Sequence, residues 1–523
     1  MITNLSLKNI RLFSDKTWDI PLPRLAIFCG TNSAGKSTLF KTLLLIRQSQ
    51  GIQESQNTQK GKLRFAGNQV DVGDYSSFVS HNDPTREMEI GITVSAIAPG
   101  QWVNFLKSIN STEEDRNQSP EIKSEIEVPY SFEAKFTFCG RSPKTDQIKC
   151  RIAGMLKSAS YTMTSDAFSP FSWRVEKKQD SDSKSEGDYS YDILIREKYF
   201  ERVGGKRLMQ VDESDPSGEL KLTTILRGLL PDAIVAKIRP DKKNKEQDMW
   251  GNWPMPPQID SALGEFRTAL TQLHYIGPLR SPAKRFYLTH LDSSPNIDPS
   301  GESLPSLLRE RSSDQIWDCG YRSQDKPREV SLAAALNSWI KYFRTGEYFP
   351  SNDESTEVEL TVTSDVLVEI KIKSITGTES HALTDSGFGF SQVIPILVRG
   401  LLSDKNSTLL VEQPELHLNP ALHVRLASFF SAMIRAGKQV IIETHSEHIV
   451  NAIRVLCAED DTDYLNNNSK IFYLSASNGT PNIHELSIRS DGMVPDWPKE
   501  FFGEAADLSG RLLRAQRKHI KKA

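Results

Sequence analysis

The sequence predicts an α/β fold built around a parallel sheet whose strands end in polar residues. Three observations predict it. An apolar strand at residues 25–28 runs into a glycine-rich turn and a helix at 38–47. Two further strands, at 408–411 and 439–442, each end in a charged turn that a helix follows. Alternating apolar residues in segments such as 130–138 add antiparallel β structure to this core.

The glycine-rich turn reads Gly-Thr-Asn-Ser-Ala-Gly-Lys-Ser at residues 30–37 and matches the phosphate-loop pattern G-x-x-x-x-G-K-[ST]. Glycine lets consecutive backbone N–H groups point inward at a phosphate, and the following helix adds unpaired N–H donors. Lys36 then reaches the β- and γ-phosphates of a nucleotide, and the Ser37 hydroxyl binds Mg²⁺. An ordinary strand-to-helix turn is the alternative. The predicted nucleotide-binding residues are Gly30, Asn32, Ser33, Gly35, Lys36, Ser37 and Thr38.

Chain length, net charge and cysteine content indicate which classes of protein are compatible with the sequence. A chain of 523 residues is long enough for two or three domains. Its net charge of −3 leaves no uniform basic field for non-specific binding to nucleic acid or membranes, so any such contact needs a local patch. Five scattered cysteines without C-x-x-C spacing favour the reducing cytoplasm and argue against a zinc site. We expect no membrane span and no signal peptide.

Changes of character along the chain divide it into four predicted segments. Residues 1–95 and 260–490 supply the two parts of one nucleotide-binding domain. Residues 96–259 are a β-rich insertion of unknown role, although its polar tracts fit loops equally well. Residues 491–523 form a C-terminal tail.

The segment Thr-Leu-Leu-Val-Glu at 408–412 has the Walker B pattern of mostly apolar residues followed by an acid. An acid at that position holds Mg²⁺, usually through water, opposite the phosphate loop. Any buried strand that ends in glutamate passes this test, so the motif alone is a weak signal. Glu412 is therefore a predicted magnesium ligand only in combination with the phosphate loop.

Two more segments can complete such a site. His445 follows the strand at 439–442, and an imidazole there can contact a γ-phosphate or orient the attacking water. A structural histidine is the alternative. Residues 386–392, Ser-Gly-Phe-Gly-Phe-Ser-Gln, precede a predicted helix at 393–402. They predict either a second anion site at a helix N-terminus or a glycine turn with a serine cap.

Four segments, taken in chain order, resemble ABC-type ATPase heads of the structural-maintenance-of-chromosomes (SMC) and RecF kind. They are residues 30–37, 386–392, 409–415 and 444–446. More narrowly, they resemble ATPases related to the overcoming-lysogenization-defect (OLD) proteins. The specific matches are Tyr-Ile-Gly-Pro-Leu-Arg at 275–280, the Gly-Phe-Gly-Phe-Ser-Gln signature at 387–392, and Glu-Gln-Pro-Glu-Leu-His-Leu-Asn-Pro at 412–420. Residues 496–502 resemble a tail seen in one bacterial branch of those ATPases. The resemblance covers residues 1–95 and about 260–505 and leaves the insertion out.

The resemblance implies ATP and Mg²⁺ as ligands and a head-to-tail homodimer or higher oligomer. In such dimers the signature of one copy contacts the γ-phosphate held by the phosphate loop of the other. The signature residues implied for this contact are Ser386, Gly387, Gly389 and Ser391. His445 takes the place of the switch histidine, and Ser37 and Glu412 those of the metal ligands.

The sequence departs from the family in two ways. The usual Asp-Glu pair is Glu412-Gln413 here, and a glutamine can orient a water but cannot accept its proton. Glu415 is the other candidate for that role; alternatively, hydrolysis is slow and nucleotide binding itself is the switch. Second, no acid cluster spaced for two metals follows Ser446, so we expect a stand-alone form without a fused TOPRIM nuclease domain.

Three functions fit these features. The first is an ATPase that controls a separate effector such as a nuclease, a role that the family resemblance connects with bacterial anti-phage defence. The second is a nucleotide-gated scaffold with little hydrolysis, motivated by Gln413. The third is a RecF-like DNA-repair ATPase, in which the basic stretches at 237–245 and 511–522 touch nucleic acid. Solvated surface is the alternative reading of both stretches.

Overall fold

The computed structural model describes most of the chain as two compact units. One unit contains residues 1–22 and 37–273, and the other contains residues 23–36 and 274–523. Among the described residues, no helix combines the length and the apolar character needed to cross a bilayer. The described residues are 1–50, 61–110, 123, 126–140, 154–178, 191–196, 219–238, 249–282, 284–285, 287–288, 299–322, 325, 327–348, 358–364, 367–373, 380–385, 388–477, 479–498 and 510–514.

The first unit is organised around one ten-stranded antiparallel sheet in the order β11-β10-β9-β8-β7-β6-β5-β4-β1-β2. Its strands alternate buried and exposed residues, as sheets with one covered face do. The predicted insertion at 96–259 supplies β5 to β11, which continue the sheet that the N-terminal strands begin. The strands are β1 (Ile2–Lys8), β2 (Trp18–Pro21), β4 (Met88–Pro99), β5 (Glu127–Cys139), β6 (Met155–Ser165), β7 (Phe168–Lys177), β8 (Tyr191–Arg196), β9 (Glu219–Arg227), β10 (Leu230–Ile238) and β11 (Met249–Pro254).

An aromatic core joins this sheet to its longest covering helix, α4. Phe266 lies on the apolar face of α4, and its ring centroid is 5.8 Å from Phe132 and 6.2 Å from Phe136. Such edge-on and tilted pairs suit the charge distribution of aromatic rings. The predicted helix at 259–273 begins two residues earlier, because Pro257 is preorganised for the first helical turn. The helices are α1 (Lys36–Ser49), α2 (Tyr75–Phe78), α3 (Gly100–Asn110) and α4 (Pro257–Thr271).

The second unit contains the predicted parallel sheet, in the order β12-β19-β20-β3-β21-β22. Strands β19, β20, β3 and β21 run parallel, and β22 is antiparallel to β21. All residues of β19 and β20 are buried, as expected for strands covered on both faces. The predicted α/β fold with a parallel core and antiparallel additions is confirmed. The strands are β3 (Leu25–Gly30), β12 (Leu273–Ile276), β19 (Thr408–Glu412), β20 (Gln439–Glu443), β21 (Ser469–Ser477) and β22 (Thr480–Ser487).

Helices bury one face of this sheet in a continuous apolar core that includes Ile27, Val411 and Ile442. The helices are α5 (Leu304–Arg311), α6 (Leu332–Thr345), α7 (Phe388–Leu402), α8 (Pro420–Arg435), α9 (Glu447–Ala458) and α10 (Tyr464–Asn467). Two small antiparallel sheets complete the unit. They consist of β13 (Tyr287–Leu288), β16 (Val358–Ser364), β17 (Leu367–Lys373) and β18 (Ser380–Ala382), and of β14 (Gln315–Asp318) and β15 (Arg328–Ser331).

A buried carboxylate ties these small strands to α6. Asp318 is fully buried and accepts hydrogen bonds from Arg328 at 3.2 Å, from the Trp339 indole at 3.3 Å, and from the Tyr348 hydroxyl. Breaking a buried ion pair leaves its partner uncompensated in a medium of low dielectric constant. The Asp318 network is therefore a main contributor to the stability of this unit.

We expect Asp318→Ala to lower the free energy of unfolding of this unit by about 3 to 5 kcal/mol. Urea unfolding followed by tryptophan fluorescence measures the change. The matched control is Asp314→Ala, which removes a surface pair with Arg311 and costs less than about 1 kcal/mol. Equal losses in the two variants would contradict the role given to Asp318.

Candidate nucleotide-binding site

The phosphate loop connects β3 to α1 and has the backbone shape of an anion cradle. Gly30, Ser33 and Gly35 have positive φ angles of 127°, 61° and 97°. Alternation of left-handed and right-handed residues turns successive N–H groups toward one point, which is how such loops bind anions. Ser33 is the only non-glycine of the three and adopts this rarely populated conformation at a cost.

Lys36 begins α1 and folds back over its own loop. Its side chain is 4% exposed, and Nζ donates to the carbonyl oxygens of Gly30 at 3.1 Å and Thr31 at 2.7 Å. Burial lowers the pKa of Lys36, and the negative charge of Glu443 opposes this shift. The ammonium is thus held at the loop by two carbonyl groups that phosphate oxygens can replace.

Two carboxylates lie side by side where the parallel strands end. Glu412 of β19 is the register partner of Glu443 of β20, and Glu443 is in turn the partner of Phe28 of β3. Because Val411 and Ile442 point into the helix-covered core, the next residue of each strand points to the opposite face. Both glutamates are buried, at 6% and 4% exposed. The sheet therefore places two acids beside the loop that holds Lys36.

The hexapeptide 275–280, to which the sequence assigned no role, contacts the end of β19 at two points. Tyr275 hydrogen bonds to the Glu412 carboxylate, and burial together with that negative charge raises the pKa of Tyr275. Arg280 is 6% exposed, and its Nη2 donates to the carbonyl oxygens of Glu412 at 3.0 Å and Gln413 at 3.2 Å. Burial lowers the pKa of Arg280 to about 10, so it stays protonated at neutral pH.

These contacts fix the turn after β19 in an unusual conformation. Gln413 has a φ of 43°, and its backbone N–H donates to the carbonyl oxygen of Glu443 at 2.7 Å. Left-handed backbone is rare for residues with long side chains, and such strain concentrates at functional sites. Arg280 holds the carbonyl group of this strained residue, so the side chain of Gln413 leaves the strand end in a defined direction.

Glu415 joins the same turn to the segment that carries the histidine. Its Oε2 accepts from the Thr444 hydroxyl at 2.8 Å, and its Oε1 accepts from the backbone N–H of His445 at 2.7 Å. We call these two hydrogen bonds the Glu415 clasp. Both oxygens of the carboxylate are thus engaged in positioning, and the role predicted for Glu415 as a proton acceptor gains no support from this geometry.

His445 is close enough to the phosphate loop to sense its charge. Partial desolvation and the positive charge of Lys36 lower the pKa of His445, and Glu415 opposes the shift. The imidazole is therefore neutral at pH 7, with one nitrogen free to accept a hydrogen bond. Lys36 and Glu415, which the sequence predicted from two other motifs, thus act in opposite directions on the pKa of His445.

The signature segment differs in part from its prediction. Helix α7 begins at Phe388, five residues before the predicted start, so Ser391 lies within the first turn and does not cap the helix. Ser391 is 4% exposed, which argues against its direct contact with a second copy. Gly389 lies within the first turn of α7, and a Cβ at this position would lie at an ordinary contact distance of 3.4 Å from Leu418. Ser386 and Gly387 lie outside the described residues.

The geometry of the described residues does not test several of the sequence predictions. Ser37 and Thr38 belong to the first unit and Glu412 to the second; the proposed metal pair of Ser37 and Glu412 thus stays a prediction. The tail at 496–502 and the basic stretches at 237–245 and 511–522 fall largely outside the described residues. Asn32 is exposed at the tip of the phosphate loop.

Sequence reasoning missed Glu443 and Arg280 as site residues. One signal was present for Glu443, since Gln-Val-Ile-Ile-Glu at 439–443 repeats the pattern of apolar residues before an acid that marked Glu412. Arg280 carried no such signal. Its role depends on burial against a strand that is distant in sequence.

The groups present fit a nucleotide with magnesium. An ammonium and a ring of N–H groups suit phosphate oxygens, and a neutral histidine suits a γ-phosphate or its water. Mg²⁺ in nucleotide sites uses one or two carboxylates together with phosphate oxygens and water. Among the described residues, no group of three or more acidic, histidine or cysteine side chains is placed to hold a metal alone.

Comparison with known proteins gives one family match. A model described as an AAA ATPase domain matches residues 307–450. No curated protein matches the chain. The matched stretch includes Glu412, Glu415 and His445, so the match and the geometry both favour ATP as the ligand and ATPase chemistry.

Three solved structures of SMC heads align with most of the chain at low sequence identity. A head bound to the C-winged helix domain of ScpA is 11% identical, with 93% of this chain and 98% of that chain covered and a TM-score of 0.36. The SMC head domain from Thermotoga maritima is 9% identical, with coverages of 92% and 98% and a TM-score of 0.31. A head derived from Pyrococcus furiosus is 11% identical, with coverages of 93% and 96% and a TM-score of 0.35. At these TM-scores the alignments carry no further argument. The family comparison shows that residues 307–450 are similar to an AAA ATPase domain.

Proposed function

We propose that this chain binds ATP with Mg²⁺ at the ends of β3, β19 and β20 and hydrolyses it. The nucleotide state then controls a separate effector protein in bacterial anti-phage defence. The observation that carries the ATPase proposal is the backbone of the phosphate loop, with positive φ at Gly30, Ser33 and Gly35, and the Lys36 ammonium held on the loop carbonyl groups at 3.1 and 2.7 Å. The effector and the defence role rest on the family resemblance alone.

Each group at the edge has a distinct part in the proposed reaction. Lys36 and the loop N–H groups bind the β- and γ-phosphates, and Glu412 would hold the hydration shell of a bound Mg²⁺. The ion neutralises charge that develops on the phosphate oxygens. Gln413, fixed by Arg280, orients the attacking water, and neutral His445 donates to or accepts from the γ-phosphate region.

A second copy completes the site in this proposal. The signature residues Ser386, Gly387 and Gly389 are proposed to contact the γ-phosphate held by the partner. Ser391 is left out of that contact because it is buried. ATP is then required for stable association of two copies, with the signature of each facing the phosphate loop of the other.

The Glu415 clasp gives a prediction for the catalytic step. Glu415→Gln puts an amide where the N–H of His445 and the hydroxyl of Thr444 both donate, so one hydrogen bond to a charged acceptor is lost. Such a loss is worth about 1.5 to 3 kcal/mol, which corresponds to a tenfold to hundredfold lower turnover at saturating ATP. Phosphate release measures it.

The matched control for this variant is Glu447→Gln, a partly exposed glutamate in the first turn of α9 that pairs locally with Asn451. We expect its turnover to equal that of the wild type. Wild-type turnover in Glu415→Gln would show that the clasp does not position His445 for catalysis.

A nucleotide-gated scaffold is the second candidate, and Gln413 favours it because an amide cannot accept the proton of the water. The two functions differ in rate. Turnover of about one per second or faster lies within the ordinary enzyme range and would exclude the scaffold. ATP-dependent association without turnover would exclude the hydrolytic function instead.

The experiment that tests the proposal measures mass and phosphate release on one sample. Light scattering after size exclusion is expected to show the mass doubling when ATP and Mg²⁺ are added, with phosphate released over time. A wild-type chain that binds no ATP would end the proposal. The defence role is tested by plaque formation on cells that express the chain with its neighbouring genes, where protection should be lost in Lys36→Ala.

A further inference from the structure

The segment that carries His445 is held at two points, of which the Glu415 clasp is the first. The second point is Ser446, which is 7% exposed and follows His445 directly. Its Oγ lies 2.9 Å from Nδ1 of His423, a half-buried residue in the first turn of α8. The neighbour of the predicted switch histidine is therefore tied to a second imidazole.

The contacts of His423 fix which ring nitrogen carries the proton. Nε2 lies 3.1 Å from the carbonyl oxygen of Leu418, and a carbonyl oxygen can only accept, so Nε2 carries the hydrogen. In a neutral ring Nδ1 is then an acceptor. Burial lowers the pKa of His423 by more than its hydrogen bond to Leu418 and the charge of Glu415 raise it. The ring is therefore neutral at pH 7, and the Ser446 hydroxyl donates to it.

Ser446 connects this imidazole to both the following helix and the preceding turn. Its hydroxyl oxygen accepts from the backbone N–H of Ile449 at 3.3 Å and so caps the N-terminus of α9. Its own backbone N–H donates to the Thr444 hydroxyl oxygen at 3.0 Å, and Thr444 in turn donates to Glu415. Hydrogen bonds thus connect His423 through Ser446 and Thr444 to the Glu415 clasp.

Both neighbours of His445 are consequently anchored by side chains of the segment 415–423. Thr444 is bound to Glu415, and Ser446 is bound to His423. We propose that His423 is a positioning residue for His445: by accepting from Ser446, its neutral ring fixes the direction in which the His445 imidazole leaves the backbone. This inference rests on the proposed ATPase function, in which His445 acts at the γ-phosphate. His423 acts through Ser446 and not on the nucleotide.

A purely structural role is the alternative, since the rings of His423 and His448 lie 5.9 Å apart where α8 and α9 begin. The two roles differ in which part of the ring matters. Packing and the hydrogen bond to Leu418 stabilise the helix starts without Nδ1, whereas positioning of His445 requires the acceptor at Nδ1. Substitutions that keep one nitrogen's function at a time therefore separate the two roles.

The test compares His423→Asn with His423→Gln in the full chain. The asparagine oxygen can replace Nδ1 and accept from Ser446, whereas the glutamine amide can replace Nε2 and donate to Leu418. We expect His423→Gln to lower turnover at saturating ATP about three- to tenfold, the effect of one lost hydrogen bond, with ATP affinity changed less than about twofold. His423→Asn is expected to turn over at least about threefold faster than His423→Gln.

Amide hydrogen exchange without nucleotide tests the same contact independently of ATPase activity. In His423→Gln we expect faster exchange at the backbone N–H groups of His445, Ser446 and Ile449, which these hydrogen bonds protect. His423→Asn is expected to keep the wild-type exchange. A wild type that neither binds nor hydrolyses ATP would refute the proposed function, while the exchange rates would still decide whether His423 holds this segment.

Three results would overturn the inference. Equal turnover in the two variants would show that the acceptor at Nδ1 does not matter. ATP affinity that falls in parallel with turnover in His423→Gln would indicate a damaged binding site and not a misplaced His445. Wild-type exchange in His423→Gln would show that Ser446 does not depend on His423. If His423→Gln does not fold in a thermal melt, Ser446→Ala replaces it, and Ser446→Thr, which keeps the hydroxyl, replaces His423→Asn with the same expectations.

Discussion

Lys36→Ala is expected to reduce ATP turnover below about one hundredth of the wild-type value, since removing one donor that stabilises developing charge costs about 10² to 10³ in rate. Lys36 is the only basic residue of the loop 30–36. Alanine also removes the group that holds two carbonyl oxygens of the loop, at 3.1 and 2.7 Å. ATP affinity is therefore expected to fall together with turnover.

The matched control is Lys41→Ala. Lys41 lies on the same helix and is partly exposed, so its removal changes the net charge equally without touching the loop. Phosphate release and calorimetry on both variants separate the local effect from a general effect of charge. Turnover in Lys36→Ala that matches the Lys41→Ala variant would contradict the nucleotide site.

Gly30→Ala is expected to abolish ATP binding and to destabilise the second unit by at least about 3 kcal/mol, as strain at a positive φ and overlap of backbone atoms add together. A Cβ at this position would lie 1.9 Å from the carbonyl oxygen of Leu474 in β21, and the φ of Gly30 is +127°. The strand pair β3–β21 would have to separate where the phosphate loop begins. Thermal unfolding and calorimetry report the two effects.

Gly264→Ala is the matched control for the glycine. This residue is inside α4, and apart from the helix's own backbone and its chain neighbours no atom of the described residues lies within 4 Å of the Cβ it would gain. Alanine is a better helix former than glycine by about 1 kcal/mol, so this variant is expected to be neutral or slightly more stable. Equal thermal stability and equal ATP affinity in Gly30→Ala and Gly264→Ala would show that the lack of room for a Cβ at Gly30 does not determine the structure of the loop.

The parallel core of the fold was predictable because each of its strands is buried on both faces. Such strands are short apolar runs. A residue that is not apolar marks the end of each: Gly30 in β3, Glu412 in β19 and Glu443 in β20. Helix starts were less predictable. The glycines at 387 and 389 indicated a turn, yet Gly389 lies in the first turn of α7, where it packs against Leu418 at an ordinary contact distance. Such contacts form only once the chain has folded.

The candidate site was predictable where a local pattern carries the chemistry. The phosphate loop, the acid after β19 and the histidine after β20 all have such patterns, and the sequence named Lys36, Glu412 and His445 from them. Glu443 has the same local pattern of apolar residues before an acid, but only strand register places it beside Glu412, and the position of Arg280 depends on burial by residues far away in the chain. The left-handed backbone of Gln413 was likewise not predictable from a local pattern. It is held by hydrogen bonds to Arg280 and Glu443, which are distant in sequence.

The central claim is that the phosphate loop and the turns after β19 and β20 act on one nucleotide. Amide hydrogen exchange measured with and without ATP and Mg²⁺ tests it most directly. The account predicts that the nucleotide slows exchange in residues 30–36, 412–415 and 443–446 together, with the protection lost in Lys36→Ala. Protection confined to residues 30–36, or none in any of the three segments, would contradict it.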